Sequence, residues 1–160
     1  MRVTYGPEFF PPVKPITARA KAERLEQVLQ ALPQIDCPVR WLFAAGMCAR
    51  EIRIPAGVTI VGAVHRMDNI AELSQGRLLL VTDGESIELV APCKVVVIAG
   101  AKTAVTTLED VVWTNYLPNP SNEQDPDKLV EMFTESKACE LIGGSHNRQL
   151  MANKLTELEA

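Results

Sequence analysis

Histidine is nearly absent, with only His65 and His146 among 160 residues, and the four cysteines, Cys37, Cys48, Cys93 and Cys139, form no C-x-x-C pair. A protein site for a transition metal needs three or four converging N, S or O ligands, so this spacing gives neither a zinc knuckle nor a thioredoxin-type motif. The cysteines read instead as ordinary buried thiols. Positive charge is also in short supply. Sixteen Lys and Arg stand against 20 Asp and Glu for a formal charge of -4, which leaves no basic field to attract a phosphate backbone without sequence preference. Long apolar runs are missing too: Val95-Val96-Val97-Ile98-Ala99-Gly100-Ala101 stops far short of the roughly 20 residues that cross a bilayer. No apolar secretory stretch follows Met1. These absences predict a soluble, cytoplasmic protein with neither nucleic acid nor membrane as partner.

What is present fits one globular domain with a real core: 47% of residues are hydrophobic and 22% charged. Residues 1–16 carry Pro7, Pro11, Pro12 and Pro15 between aromatics, a composition that opposes helix and ladder alike and predicts an extended arm. A helix is expected next, with Thr17 as cap, Ala18, Ala22, Leu25, Val28, Leu29 and Leu32 at 3.6-type spacing, and Pro33 as its end. From Pro38 to Tyr116 the texture changes to short β-branched runs with turn residues about every 8 to 12 residues, the habit of a sandwich or jelly roll. Arg50-Glu51-Ile52-Arg53-Ile54 alternates, Pro55-Ala56-Gly57 turns, and Val58 to His65 reads as a strand. Gly76 breaks the next strand, and Leu78–Thr82 and Ile87–Val90 flank Asp83-Gly84, which suits a two-residue I′ turn. Val95–Ile98 is apolar throughout, predicting a strand buried on both faces, and Val111 to Tyr116 closes the series.

Beyond Leu117 a polar linker leads to Asp125 as helix cap with Pro126 at the first helical position, followed by an apolar stripe of Leu129, Val130, Met132 and Phe133. Gly143-Gly144 interrupts, and Ser145 opens a last helix bearing Leu150, Met151, Leu155 and Leu158. The expected organisation is therefore an arm over 1–16, a β-rich domain with its leading helix over 17–117, and a linker with a helical extension over 118–160.

The β-rich middle resembles the cupin superfamily, and within it small cupin-like proteins of bacteriophage and prophage genomes. The resemblance runs from about Ala31 to Leu117 through Ala31-Leu32-Pro33-Gln34-Ile35-Asp36, Ala49-Arg50-Glu51, Ile54-Pro55-Ala56-Gly57, His65, Ser74-Gln75-Gly76, Asp83-Gly84, Ala91-Pro92-Cys93, Ala99-Gly100-Ala101-Lys102 and Glu109-Asp110-Val111-Val112-Trp113-Thr114. It implies an all-β, cupin-type jelly-roll barrel. It implies no particular activity, because one fold hosts many chemistries.

Metal-binding cupins set histidines on alternate positions of one strand, with another from a later strand. Here the resemblance aligns those positions with His65, Met67, Asn69 and Leu108. Of these only His65 is a good ligand, so the expectation is no metal and no cofactor. Counting by two from His65 turns Asp68 and Glu72 outward and prevents them from repairing the set. His65 then reads either as a barrel-lining histidine bonded to a strand carbonyl or water, or as the polar group of a ligand pocket with Asn69 beside it.

Other catalytic constellations are missing. No G-x-S-x-G elbow occurs, and Gly143-Gly144-Ser145-His146 lacks the G-K-[ST] ending of a phosphate loop. Two classes of function compete. One is a structural or interaction protein, a non-enzymatic, metal-free homo-oligomer, with a dimer favoured. Tyr5, Phe9, Phe10, Val13 and Ile16 would help to form its contact, and the phage-type resemblance suggests a virion or host protein as further partner. The other is a small-ligand binder for a sugar or nucleotide, using the cavity at His65, Met67, Asn69 and Leu108.

Overall fold

The computed structural model describes residues 15–81 and 86–136, with side chains from Arg19 onward. Helix α1 spans Pro15–Gln30, so it starts earlier than the expected cap at Thr17 and takes residues 15 and 16 out of the arm. Proline suits that first turn because its fixed φ is helical and its missing N–H would go unused there. Among the described residues nine strands follow: β1 Val39–Ala44, β2 Gly46–Ile54, β3 Thr59–Val61, β4 Asn69–Gln75, β5 Arg77–Val81, β6 Ser86–Val90, β7 Cys93–Val97, β8 Ala104–Thr107 and β9 Val111–Asn119, before α2 at Pro126–Phe133. The remainder of the arm, Asp83-Gly84, Gly143-Gly144, Cys139, His146 and the last expected helix lie outside the described residues.

All strand pairs are antiparallel, in a five-stranded sheet ordered β1-β2-β9-β4-β7 and a four-stranded sheet ordered β3-β8-β5-β6. This is a double-sheet jelly roll, the all-β cupin-type architecture. Its core is the layer between the sheets, where Ile52, Ile54, Leu73, Val95 and Val111 of one meet Leu78, Leu80 and Leu89 of the other, with Cys37 and Cys93 among them. Burial of such side chains stabilises by about 1.5 to 3 kcal/mol each.

Three expectations are corrected. The strand foreseen from Val58 to His65 is only Thr59–Val61: Gly62 donates to the Thr103 carbonyl and the chain leaves the ladder, so that His65 forms a lone bridge to Thr134. The apolar run Val95–Ile98 is not buried on both faces: Val95 points into the core at 5% exposure, whereas Val96 lies on the outer face of the antiparallel sheet beside Ile70, and both Val96 and Ile98 are 45% exposed. The last strong strand extends past Tyr116 to Asn119.

Gly76 sits between β4 and β5 with φ +82°, and a Cβ there would lie 2.3 Å from the Asp110 carbonyl oxygen. Only glycine meets both demands. Helix α2 is capped as the residues foretell, with Asp125 Oδ1 accepting from the Asp127 N–H at 3.0 Å. Its buried face, Leu129 and Phe133, packs with Cys48 and Leu117, and Trp41 joins from β1. The Phe133 carbonyl accepts from Arg66 N–H and the Val64 carbonyl accepts from Glu135 N–H, which fastens the end of α2 to the His65 segment.

Helix α1 packs against β3 and is tied by Lys102 Nζ to Glu26 at 2.6 Å and by Arg19 to Glu135 at 2.6 Å. Among the described residues no helix is long and apolar enough to cross a membrane.

Candidate functional site

Residues opposed across a ladder share one face of the sheet, so the register fixes what points inward. Val39, Ile52, Trp113, Leu73 and Cys93 form one inner row. One step of two residues further along lies the row Trp41, Arg50, Asn115, Ala71 and Val95. The core turns polar there. Asn115 Nδ2 donates to Asn69 Oδ1 at 2.8 Å, and Asn115 Oδ1 accepts from Trp113 Nε1 at 3.0 Å. Both asparagines are buried, and each amide has a partner, as burial requires.

His65 borders this layer. Its backbone carbonyl accepts from Gly100 N–H at 2.9 Å, but its buried Nδ1 has no hydrogen-bond partner among the described residues. Burial, with the nearby positive charge of Arg50 adding to it, pushes the imidazole pKa down to about 4. The ring is therefore neutral at physiological pH. Burial also lowers the Arg50 guanidinium to about 10, where it stays charged at neutral pH.

The four positions singled out from the sequence do not converge. Asn69 is inside and bonded to Asn115, and His65 is half-buried near it. Met67 is 37% exposed, because the chain between His65 and Asn69 is not a strand and the count by two does not carry through it. Leu108 is 41% exposed and donates its N–H to Arg77 at the far end of the sandwich, where Val111 pairs with Ile54. Four residues of strand, roughly 13 Å, separate that end from Asn115. Asp68 caps the Ala99 N–H at 2.8 Å, and Glu72 faces outward.

These residues do not suit the metal that liganding cupins hold. One neutral imidazole, an amide already engaged and a guanidinium offer a cation one strong donor and a repulsive charge. Among the described residues no three His, Cys, Asp or Glu side chains gather. Arg50, Trp113 and Asn115 were missed as members of the polar layer, although Arg50 shares its parity with inward Ile52 and Ile54, and Asn115 shares its parity with Val111.

On the outer face of the same sheet the register aligns Leu42, Ala49, Tyr116, Ile70 and Val96 in one apolar row crossing all five strands. Leu42 is 47% and Ile70 52% exposed. The adjoining row, Arg40, Glu51, Thr114, Glu72 and Lys94, closes its charges on itself through Arg40 with Glu51 at 3.0 Å and Lys94 with Glu72 at 2.9 Å. Tyr116 Oη donates to Glu72 at 2.6 Å, which holds that carboxyl below the usual range with help from Lys94 and raises the phenol to about 12.

No protein-family description and no curated protein matches the chain. Among solved structures it is similar to a cupin-2 domain protein from Shewanella frigidimarina, at 12% identity and TM-score 0.45 over 59% of this chain and 92% of that one. KdgF from Halomonas sp. gives 17% identity and TM-score 0.46 over 54% and 83%. A putative ethanolamine utilization protein Q from Salmonella typhimurium gives 18% and 0.44 over 54% and 71%. At these scores the architecture stands on the strand order above, and nothing about activity follows.

Proposed function

We propose that this chain is a non-catalytic, metal-free barrel that works by association, and that its first partner is a second copy of itself. The observation that carries this reading is the apolar row of Leu42, Ala49, Tyr116, Ile70 and Val96 on the outer face of the five-stranded sheet. Large side chains on four of the five strands, with the small, buried Ala49 between Leu42 and Tyr116, make an apolar stripe, and such stripes mark contact surfaces. Its flanking charges are paired within the sheet, so the face calls for no oppositely charged partner and suits an isologous one. The aromatic arm, with Tyr5, Phe9, Phe10 and Val13, adds to the contact in this reading together with Ile16, which belongs to the first turn of α1. The phage-type resemblance supplies the setting, a virion component or a protein acting in the host cytoplasm.

Native mass spectrometry of the intact chain tests it. A dimer or larger species is expected, and Ile70→Lys, which places a charge in the row without touching the core, should lower the oligomeric mass. A monomer throughout the micromolar range overturns the reading.

One observation favours a second reading, binding of a sugar or nucleotide in the polar layer: the buried Nδ1 of His65, unpartnered among the described residues. Thermal-shift measurements with monosaccharides and nucleotides test it. A shift lost in His65→Leu supports it, and no shift with any of them rejects it.

A further inference from the structure

Four strands end the two sheets: β1 and β7 in one, β3 and β6 in the other. Natural edge strands are blunted by brevity, by charge or by bulges. Strand β3 has three residues, β6 carries Glu88, and β7 carries Lys94. Strand β1 reads Val39-Arg40-Trp41-Leu42-Phe43-Ala44, six residues in unbroken register with β2, without proline, lysine or glycine. Its one charge, Arg40, is engaged by Glu51 on the inner neighbour. Among the described residues β2 is its only ladder partner, so its outer row of backbone N–H and C=O groups has none.

We infer that β1 is a second self-association surface, pairing antiparallel with β1 of another copy about a two-fold axis at Leu42. This rests on the association reading above and adds a contact distinct from the sheet face.

The side chains select that register. A two-fold normal to the sheet keeps inner faces together, so only same-face residues meet across it. An axis at Arg40 would oppose two guanidinium groups. An axis at Leu42 sets Arg40 against the partner's Ala44 and Leu42 against the partner's Leu42. It also sets Trp41 against the partner's Phe43. Trp41 and Phe43 already stack within one chain, at 6.5 Å between centroids and 9° between planes; doubled, they make a four-ring cluster of the kind that favours cross-strand pairing. The apolar row on the outer face would then run unbroken from Val96 of one copy through Leu42 to Val96 of the next. Two isologous contacts, face and edge, together give an assembly of more than two copies.

Disulfide trapping tests this on the full chain with Cys139→Ser, which leaves only the buried thiols at 37, 48 and 93. Directly opposed residues of an antiparallel pair have Cα atoms about 4.5 to 5.5 Å apart, within the span of a disulfide. Leu42→Cys should give a covalent dimer under mild oxidation, in the Ile70→Lys background as well, while Glu88→Cys on β6 should not. Phe43→Lys should weaken the edge contact by about tenfold, because it removes both of the ring pairs that Phe43 makes with the partner's Trp41 across the two-fold axis. Absence of the Leu42→Cys dimer while native mass spectrometry shows an oligomer overturns the edge inference and leaves the face contact standing. So does a cross-link that appears only after residues 1–14 are deleted, since the arm would then be the edge's occupant. A chain that is monomeric throughout removes both readings.

Discussion

Asn69 and Asn115, 46 positions apart in sequence, face each other inside the barrel with Nδ2 of the second 2.8 Å from Oδ1 of the first. Asn115 also accepts from Trp113 Nε1, so one amide satisfies two neighbours on two strands. Asn115→Ala leaves a buried acceptor and a partly buried donor without partners, a loss of about 2 to 6 kcal/mol at about 1 to 3 for each group. Asn69→Ala should cost less, and the double variant less than the sum. Urea unfolding of the four proteins measures this coupling, and strict additivity would show that the pair does not act as a unit.

Stability should depend on His65 at mildly acidic pH. The folded imidazole titrates near 4, against about 6.5 when unfolded. Between these values the unfolded chain binds the extra proton, so stability falls as pH drops through that window, by at most about 3 kcal/mol. Above pH 7 the group contributes no slope. Chemical denaturation at pH 7 and pH 5 measures the difference for the parent and for His65→Gln, which should lose most of it. An unchanged slope in the variant would assign the effect to other groups.

Gly76→Ala should be the most damaging single-methyl addition among the described residues. The residue would need φ +82° and would drive its Cβ to within 2.3 Å of a backbone oxygen. The left-handed conformation alone costs about 1 to 2 kcal/mol, and the clash adds to it. Gly57→Ala, at φ +76° but with open space around the added carbon, isolates the conformational part. Thermal melts of the two variants should differ clearly, and similar melting temperatures would remove the steric contribution.

The jelly roll was legible because alternation is a local signal. Arg50 to Ile54 and Val111 to Tyr116 announce strands by period, and Asp125-Pro126 announces α2 by cap chemistry. Strand neighbours are a different matter. That Val96 would stand exposed depended on which face of the five-stranded sheet is covered by the other sheet, which no window around residues 95–98 encodes. The segment from Gly62 to Met67 misled for a related reason: its composition suits a strand, but its backbone bonds go to Thr103, Gly100, Phe133 and Glu135 instead of a ladder. Once that phase was lost, Met67 could not follow His65 inward. Arg50 was readable by parity, yet a charged residue in an alternating strand invites assignment to the solvent side.

The buried thiols give the barrel a built-in clock. Cys37 and Cys93 belong to the larger core between the sheets, whereas Cys48 lies in the smaller cluster under α2. Burial raises all three thiols above their ordinary pKa, so an alkylating reagent meets little thiolate until local opening admits solvent. Detachment of α2 bares residue 48 alone, whereas separation of the two sheets bares residues 37 and 93. The order in which the three positions gain mass therefore reports which end of the molecule breathes first, without any engineered label.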